Sequence, residues 1–212
     1  AGYHSLFGRL SEETLALSDK IIEVSPFDDG RVFLCNSGSE ANDTMIKMLW
    51  MLNLRKGNPH KRKIISRING YHGVTLGASS LTAKPYNEVF GFPLKDFIHT
   101  DCPHYWKFAK ENETEEEFTN RMAKNLEDLI LREDPETIAG FVAEPVQGAG
   151  GVIPPSKNYF DLIQPIFISD QSEKTVEIPS MPGIYRHNLD SLYSETEALI
   201  KVGIKYPQRR QH

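Results

Sequence analysis

The run Asn36-Ser37-Gly38-Ser39-Glu40-Ala41-Asn42 constrains this chain more than any other stretch. A short apolar segment, Val32-Phe33-Leu34-Cys35, leads into it, and an amphipathic helical pattern leaves it. A strand that turns over a glycine into a helix puts the free N–H groups and the positive dipole end of that helix beside the turn, which makes an anion cup. Gly38 lets the backbone approach a phosphoryl group closely, and Ser39 adds a hydroxyl to the amides. A helix terminus contributes about 0.3 to 2 kcal/mol toward holding a charge. Such a cup therefore orients a phosphorylated ligand, and other residues must supply the rest of the affinity.

The remaining pattern alternates strands and helices. Ser11-Glu12-Glu13 reads as a cap with first-turn acids, opening a surface helix with Leu17, Ile21 and Val24 on one face and an end near Pro26. Beyond the cup, Ala41, Met45, Met48, Leu49 and Leu52 recur at helical spacing, and Lys56-Gly57 supplies a basic last turn and a glycine stop. Lys63-Ile64-Ile65-Ser66 and Phe97-Ile98-His99 read as strands. Thr114 and Glu117 form a capping box for a long helix carrying Phe118, Met122, Leu126 and Leu129, so that Glu115 to Glu117 are a solvated first turn. Ile138 to Ala143 is a continuous apolar strand running into Glu144-Pro145, and Tyr159 to Ile166 reads as helix. This order predicts an α/β fold with a mostly parallel sheet and ligands at the carboxyl ends of its strands. From about Phe167 the texture shifts to an extended, proline-rich stretch and then a helical pattern over Leu189 to Val202.

Composition narrows the classes. At 212 residues, 39% hydrophobic and 25% charged, the chain reads as one or two soluble globular domains. A net charge of −5 argues against nucleic acid as a partner, and no apolar run reaches the length of a membrane span. The first residues carry neither an initiating Met nor a signal-peptide core, so the start reads as cut. Two cysteines, Cys35 in a presumed buried strand and Cys102 before Pro103, favour a reducing cytoplasm over a disulfide framework. His99, Cys102 and His104 have a tempting metal spacing, but Pro103 breaks the geometry and no fourth ligand follows.

Three segments should gather at the strand ends: the cup, Gly70-Tyr71-His72-Gly73, and Glu144-Pro145-Val146-Gln147-Gly148-Ala149-Gly150-Gly151. Together with Lys63 to Arg67 and His99 to Tyr105 they resemble the class III aminotransferases, of the omega-amine to pyruvate type, over residues 1 to about 165. The resemblance implies the pyridoxal-phosphate transferase fold of the aspartate aminotransferase type, and pyridoxal 5'-phosphate as cofactor. It further implies an amine donor, a keto acid acceptor and a homodimer. By that resemblance Ser37, Gly38 and Ser39 hold the cofactor phosphate, Tyr71 stacks on the pyridine ring with His72 beside it, and Glu144 lies close to the ring. Each residue also has a plainer reading. Tyr71 suits a core aromatic, His72 a hydrogen-bonded structural histidine and Glu144 a turn anchor, although a carboxylate closing an apolar strand should face a cofactor or an arginine. Gln147 reads as a supporting donor.

The family's chemistry also needs a Schiff-base lysine and an acid for the pyridine nitrogen. Both follow the segment corresponding to Ile166, where this sequence departs from the family. Lys47, Lys63, Lys84 and Lys157 do not stand in the Schiff-base context, and Asp170 only imitates the acid, so no catalytic residue is assigned. Residues about 161 to 205, with Glu177-Ile178-Pro179-Ser180-Met181-Pro182-Gly183-Ile184-Tyr185-Arg186, resemble instead the start of porphobilinogen synthase, also called 5-aminolevulinate dehydratase. There the segment is an arm and the first helix leading into a (β/α)8 barrel. The expected organisation is thus 1-166, part of an aminotransferase large domain, and 167-212, a truncated synthase-like segment. The leading reading is an aminotransferase fragment inactive as this chain. The alternatives are a truncated porphobilinogen synthase and a non-catalytic phosphate-binding module.

Overall fold

The computed structural model describes residues 11–25 and 30–163 in full, and the backbone of 167–168, 176–177 and 185–187. The chain divides into two compact units, residues 34–164 and residues 1–33 with 165–212.

The first unit is built on a parallel sheet of strands β1 (Lys63–Arg67), β2 (Phe97–Thr100) and β3 (Ile138–Phe141), in the order β2-β1-β3. The run Ile64-Ile65 places consecutive side chains on opposite faces, so β1 serves two cores at once. Ile64 joins Ile46, Leu81 and Phe97, with Met45, Leu49 and Trp50 packed against them. Phe97 comes from the neighbouring strand β2, and the other partners come from helix α2 (Gly38–Arg55) and the short helix α3 (Leu76–Leu81). Ile65 joins Leu126 and Leu129 on the other face. These belong to helix α5 (Glu115–Arg132), which follows a single turn, α4 (Tyr105–Phe108). Helices therefore cover both faces of the sheet. Gly140 makes the α2 packing close, because a Cβ there would stand 3.3 Å from Leu49 Cδ2.

The long helix expected after Thr114 forms over Glu115–Arg132. Thr114 accepts from the Glu117 amide while the Glu117 carboxylate accepts from the Thr114 amide, which completes the capping box. Phe118, Met122, Leu126 and Leu129 are all buried. Phe118 and Met122 pack with Tyr159, which opens a one-turn helix α6 (Tyr159–Leu162). That helix is shorter than the sequence predicts, and residues 164–166 lie outside the described residues.

Two other expectations are corrected. Val32 to Cys35 forms no strand: it has no ladder partner among the described residues, Phe33 is 65% and Leu34 46% exposed, and Cys35 is exposed as well. A strand is completed by its neighbour, so apolar content alone does not make one. In α2 the inward face runs through Met45, Ile46, Leu49 and Trp50, while Met48 and Leu52 are exposed, so the phase differs from the one read. Apolar residues on both sides of this helix left its phase ambiguous.

In the second unit, α1 (Glu12–Val24) starts at Ser11 as expected, with the Ser11 hydroxyl accepting from the Thr14 amide. Leu17, Ile21 and Val24 are exposed, and the shielded positions are Thr14, Ser18 and Ile22. Strands β4 (Phe167–Ile168), β5 (Val176–Glu177) and β6 (Tyr185–His187) form a small sheet in the order β4-β6-β5, with β4 parallel and β5 antiparallel to β6. Asp170, the 179–183 segment and the helical pattern over 189–202 lie outside the described residues.

Helix α5 is the element that closes one face of the sheet. Leu126→Ala should lower the unfolding free energy by about 2 to 5 kcal/mol, read from the urea midpoint at unchanged slope.

Candidate functional site

In a parallel sheet the loops that follow each strand meet at one edge. The loop after β1 carries Tyr71 and His72, and the loop after β3 carries Glu144. Glu144 joins the two. Its Oε1 accepts from the Tyr71 amide at 2.9 Å and its Oε2 from the Gly148 amide at 3.0 Å. The carboxylate is thus held by backbone donors, and the expected arginine meets the residue elsewhere: Arg67 Nη2 donates to the Glu144 carbonyl. Arg67 is buried, its guanidinium 5.7 Å from the Tyr159 ring and 5.6 Å from the Phe160 ring, while Nε and Nη1 have no hydrogen-bond partner.

The N-terminus of α2 closes the site from the other side. Ser37 caps it by accepting from the Glu40 amide, and the Glu40 carboxylate accepts from the Asn36 amide. The first backbone bond of the helix runs from the Ala41 amide to the Ser37 carbonyl. The amides of Gly38 and Ser39 precede it and are available to an anion. A Cβ placed on Gly38 would meet nothing within 4 Å, so the space beside those amides is open. Ser39 Oγ accepts from the Val74 amide at 3.0 Å, which leaves its own proton to donate.

Between these anchors the Tyr-His-Gly loop is tied down one backbone group at a time. Asn42 Nδ2 donates to the His72 carbonyl at 2.6 Å, the His72 amide donates to Thr82 Oγ1 at 2.8 Å, and that hydroxyl donates to the Gly73 carbonyl at 3.0 Å. Asp43 Oδ1 accepts from the Ala78 amide at 3.0 Å. Gly73 is required where it stands: its φ is +125°, and a Cβ there would fall 2.4 Å from Ser39 Oγ. Tyr71 remains 41% exposed.

The structure therefore brings Ser37, Gly38, Ser39, Tyr71, His72 and Glu144 to one edge of the sheet. Gln147, read as a supporting donor, is buried, its Nε2 donating to the Ile68 carbonyl and its Oε1 accepting from the Cys102 thiol. Asn42, Asp43 and Thr82 went unnoticed in the sequence. The available signal was that Ser39, Asn42 and Asp43 share one helix face by their i, i+3, i+4 spacing.

Burial pushes the His72 imidazole below its ordinary value, with Arg67 and His99 acting in the same direction and Glu144 opposing them. His99 is also lowered by burial, and its Nε2 pairs with the Ser80 carbonyl. Burial raises the Cys102 thiol and the Tyr159 phenol, and Arg67 opposes both shifts. Among the described residues no three His, Cys, Asp or Glu side chains converge to hold a metal. Of the lysines named from the sequence, two are engaged by other groups: Lys84 Nζ donates to Asn69 Oδ1 and the Ala149 carbonyl, and Lys63 Nζ pairs with Glu133.

The family described as aminotransferase class-III matches residues 2–171. The chain belongs to the class III aminotransferases. Residues 156–207 match a second family, delta-aminolevulinic acid dehydratase. Among curated proteins, a probable gamma-aminobutyrate transaminase 3, mitochondrial, of Oryza sativa subsp. indica is 50% identical over 166 residues, covering 77% of this chain and 32% of the relative. Gamma aminobutyrate transaminase 1, mitochondrial, of Solanum lycopersicum is 49% identical over 178 residues, with 80% and 35% covered. Among solved structures, an omega-transferase from Vibrio fluvialis JS17 is 62% identical with a TM-score of 0.73, covering 77% of this chain and 39% of that one. A PMP-bound aminotransferase from Vibrio fluvialis is 59% identical with a TM-score of 0.74, covering 79% and 39%. The chain spans about a third of the length of its curated relatives. The parallel sheet with helices on both faces is thus part of the transferase fold of that family.

Because the His72 pKa is lowered in the folded state, its contribution to stability is complete above the unfolded value of about 6.5 and is lost as the pH falls through the lower folded value. The urea midpoint should therefore fall as the pH drops from about 6.5 toward that lower value, and this contribution should level off below it. His72→Gln should flatten the fall, with His99 responsible for what remains.

Proposed function

We propose that residues 1–166 are the N-terminal part of a class III aminotransferase large domain and hold pyridoxal 5'-phosphate at the carboxyl edge of the sheet. Residues 167–212 would be a separate segment like the arm and first helix that precede the (β/α)8 barrel of porphobilinogen synthase. The observation that carries the site reading is the joining of three distant segments by the Glu144 bond to the Tyr71 amide and the Ser39 bond to the Val74 amide. These residues fit the cofactor. The Gly38 and Ser39 amides and the Ser39 hydroxyl are donors suited to a phosphate, with Ser37 fixing the cap that aims them. Exposed Tyr71 offers its ring to a flat heterocycle, and His72, kept neutral by its surroundings, brings no cation against it.

When bound, the cofactor supplies an electron sink for moving an amino group. The whole protein's reaction, in this reading, takes an amino group from an amine or omega-amino acid to a keto acid such as pyruvate, in a homodimer. This chain's own part is to seat the phosphate, orient the ring and keep the Tyr71 loop fixed. In this reading it does not supply the covalent anchor, since the sequence departs from the family before the Schiff-base position, and Lys63 and Lys84 are engaged elsewhere. Two unpaired cysteines suit a reducing compartment such as the cytoplasm. No helix among the described residues is long and apolar enough to cross a membrane.

The open amides together with the engaged lysines also favour a second reading, a phosphate-binding module without catalysis. One titration separates the readings. With pyridoxal 5'-phosphate added, the amides of Gly38 and Ser39 should gain saturable protection from hydrogen exchange, and borohydride should fix the cofactor on no single lysine. Protection by inorganic phosphate with none of the Tyr71 loop would leave only the module. A stoichiometrically trapped lysine with amine-dependent turnover would show an active enzyme, and an unprotected cup would remove both readings.

A further inference from the structure

We propose that Asn42 is a positioning residue that fixes the offset between the anion cup and the Tyr71 ring, so that the site selects a flat aromatic phosphate over a bare one. The inference rests on the reading of the cup and Tyr71 as the two ends of one ligand's site. Asn42 lies one turn into α2, the rigid element whose first amides form the cup, and its Nδ2 reaches 30 residues along the chain to the His72 carbonyl at 2.6 Å. The other restraints on the loop act at different points or from different elements. Glu144 holds the Tyr71 amide to the β3 side of the site, and Thr82 holds the His72 amide and the Gly73 carbonyl from the end of α3. Ser39 and Asp43, also on α2, grip the chain at Val74 and Ala78. Glu144 and Thr82 thus hold the two peptide units that flank Tyr71, and Asn42 is the α2 side chain that holds the next one, between His72 and Gly73; through it the cup's own helix helps set where the ring sits.

The consequence is selective. A ligand that touches only the cup is indifferent to the Tyr71 loop, whereas one that bridges cup and ring loses the advantage of a preset distance when the loop is released. Asn42→Ala removes the donor, and Asn42→Asp puts an acceptor against a carbonyl. Neither alters the Gly38 and Ser39 amides.

The test is the affinity of the full chain and both variants for two probes. Pyridoxine 5'-phosphate has no aldehyde to condense with surface lysines, and inorganic phosphate occupies the cup alone. Asn42→Ala should weaken pyridoxine 5'-phosphate by about tenfold, the loss of one buried hydrogen bond, and leave inorganic phosphate within about twofold. Asn42→Asp should weaken the larger probe further. Equal loss for both probes would mean that Asn42 merely supports the fold, and no loss for either would mean that it positions nothing; both results overturn the inference. If Asn42→Ala does not fold, Asn42→Ser, which keeps a short donor, carries the same comparison. Failure of the wild-type cup to bind inorganic phosphate is a separate result that overturns the underlying reading and this inference with it.

Discussion

A loop that passes over the end of a sheet cannot leave its backbone amides and carbonyls unpaired as it becomes covered, and the segment from Tyr71 to Val74 has no ladder to satisfy them. Its solution organises the site. Four side chains from three different elements, Ser39, Asn42, Thr82 and Glu144, take up the five backbone groups of this loop that carry recorded bonds. Each such bond is worth only about 0.5 to 1.5 kcal/mol net, and the group that could least be left unpaired is the carbonyl of buried Gly73, which accepts from Thr82. Acting together, the five bonds tie the loop that carries the aromatic ring to the helix terminus.

The same need explains the glutamate. A carboxylate at the end of an apolar strand is costly to cover without partners, and two amides facing Glu144 remove that cost while joining the loops after β1 and β3. Arg67 gives one nitrogen to the Glu144 carbonyl and lies against two adjacent aromatic rings, Tyr159 and Phe160. Its remaining nitrogens are without partners, so this buried cation is held by packing and one bond in place of a matched ion pair.

What could be read from the sequence depended on the range of the interaction that decides each feature. The start of helix α5 and its buried face were legible, because its capping box and its apolar stripe from Phe118 to Leu129 are local signals. The strands β1 to β3 were legible as apolar runs between turn residues. The segment Val32 to Cys35 was not, because a strand exists only with a neighbour and none is present among the described residues. The phase of α2 was missed for a related reason: with Met48 and Leu52 apolar and outward, only the partner surface of Ile64 and Phe97 decides which face turns in.

The site followed the same rule. Gly38, Tyr71 and Glu144 stood out through their spacing and their neighbouring glycines, and the structure gathers them. Asn42 lay in the same quoted run and carried no visible role, since its partner is a carbonyl 30 residues away. A side chain bonded to backbone leaves no complementary residue type in the sequence, unlike an ion pair, in which each charge announces the other. Polar residues on the first turn of a helix that faces a loop are therefore where functional positioning is hardest to read from sequence, and here they hold the parts of the site together.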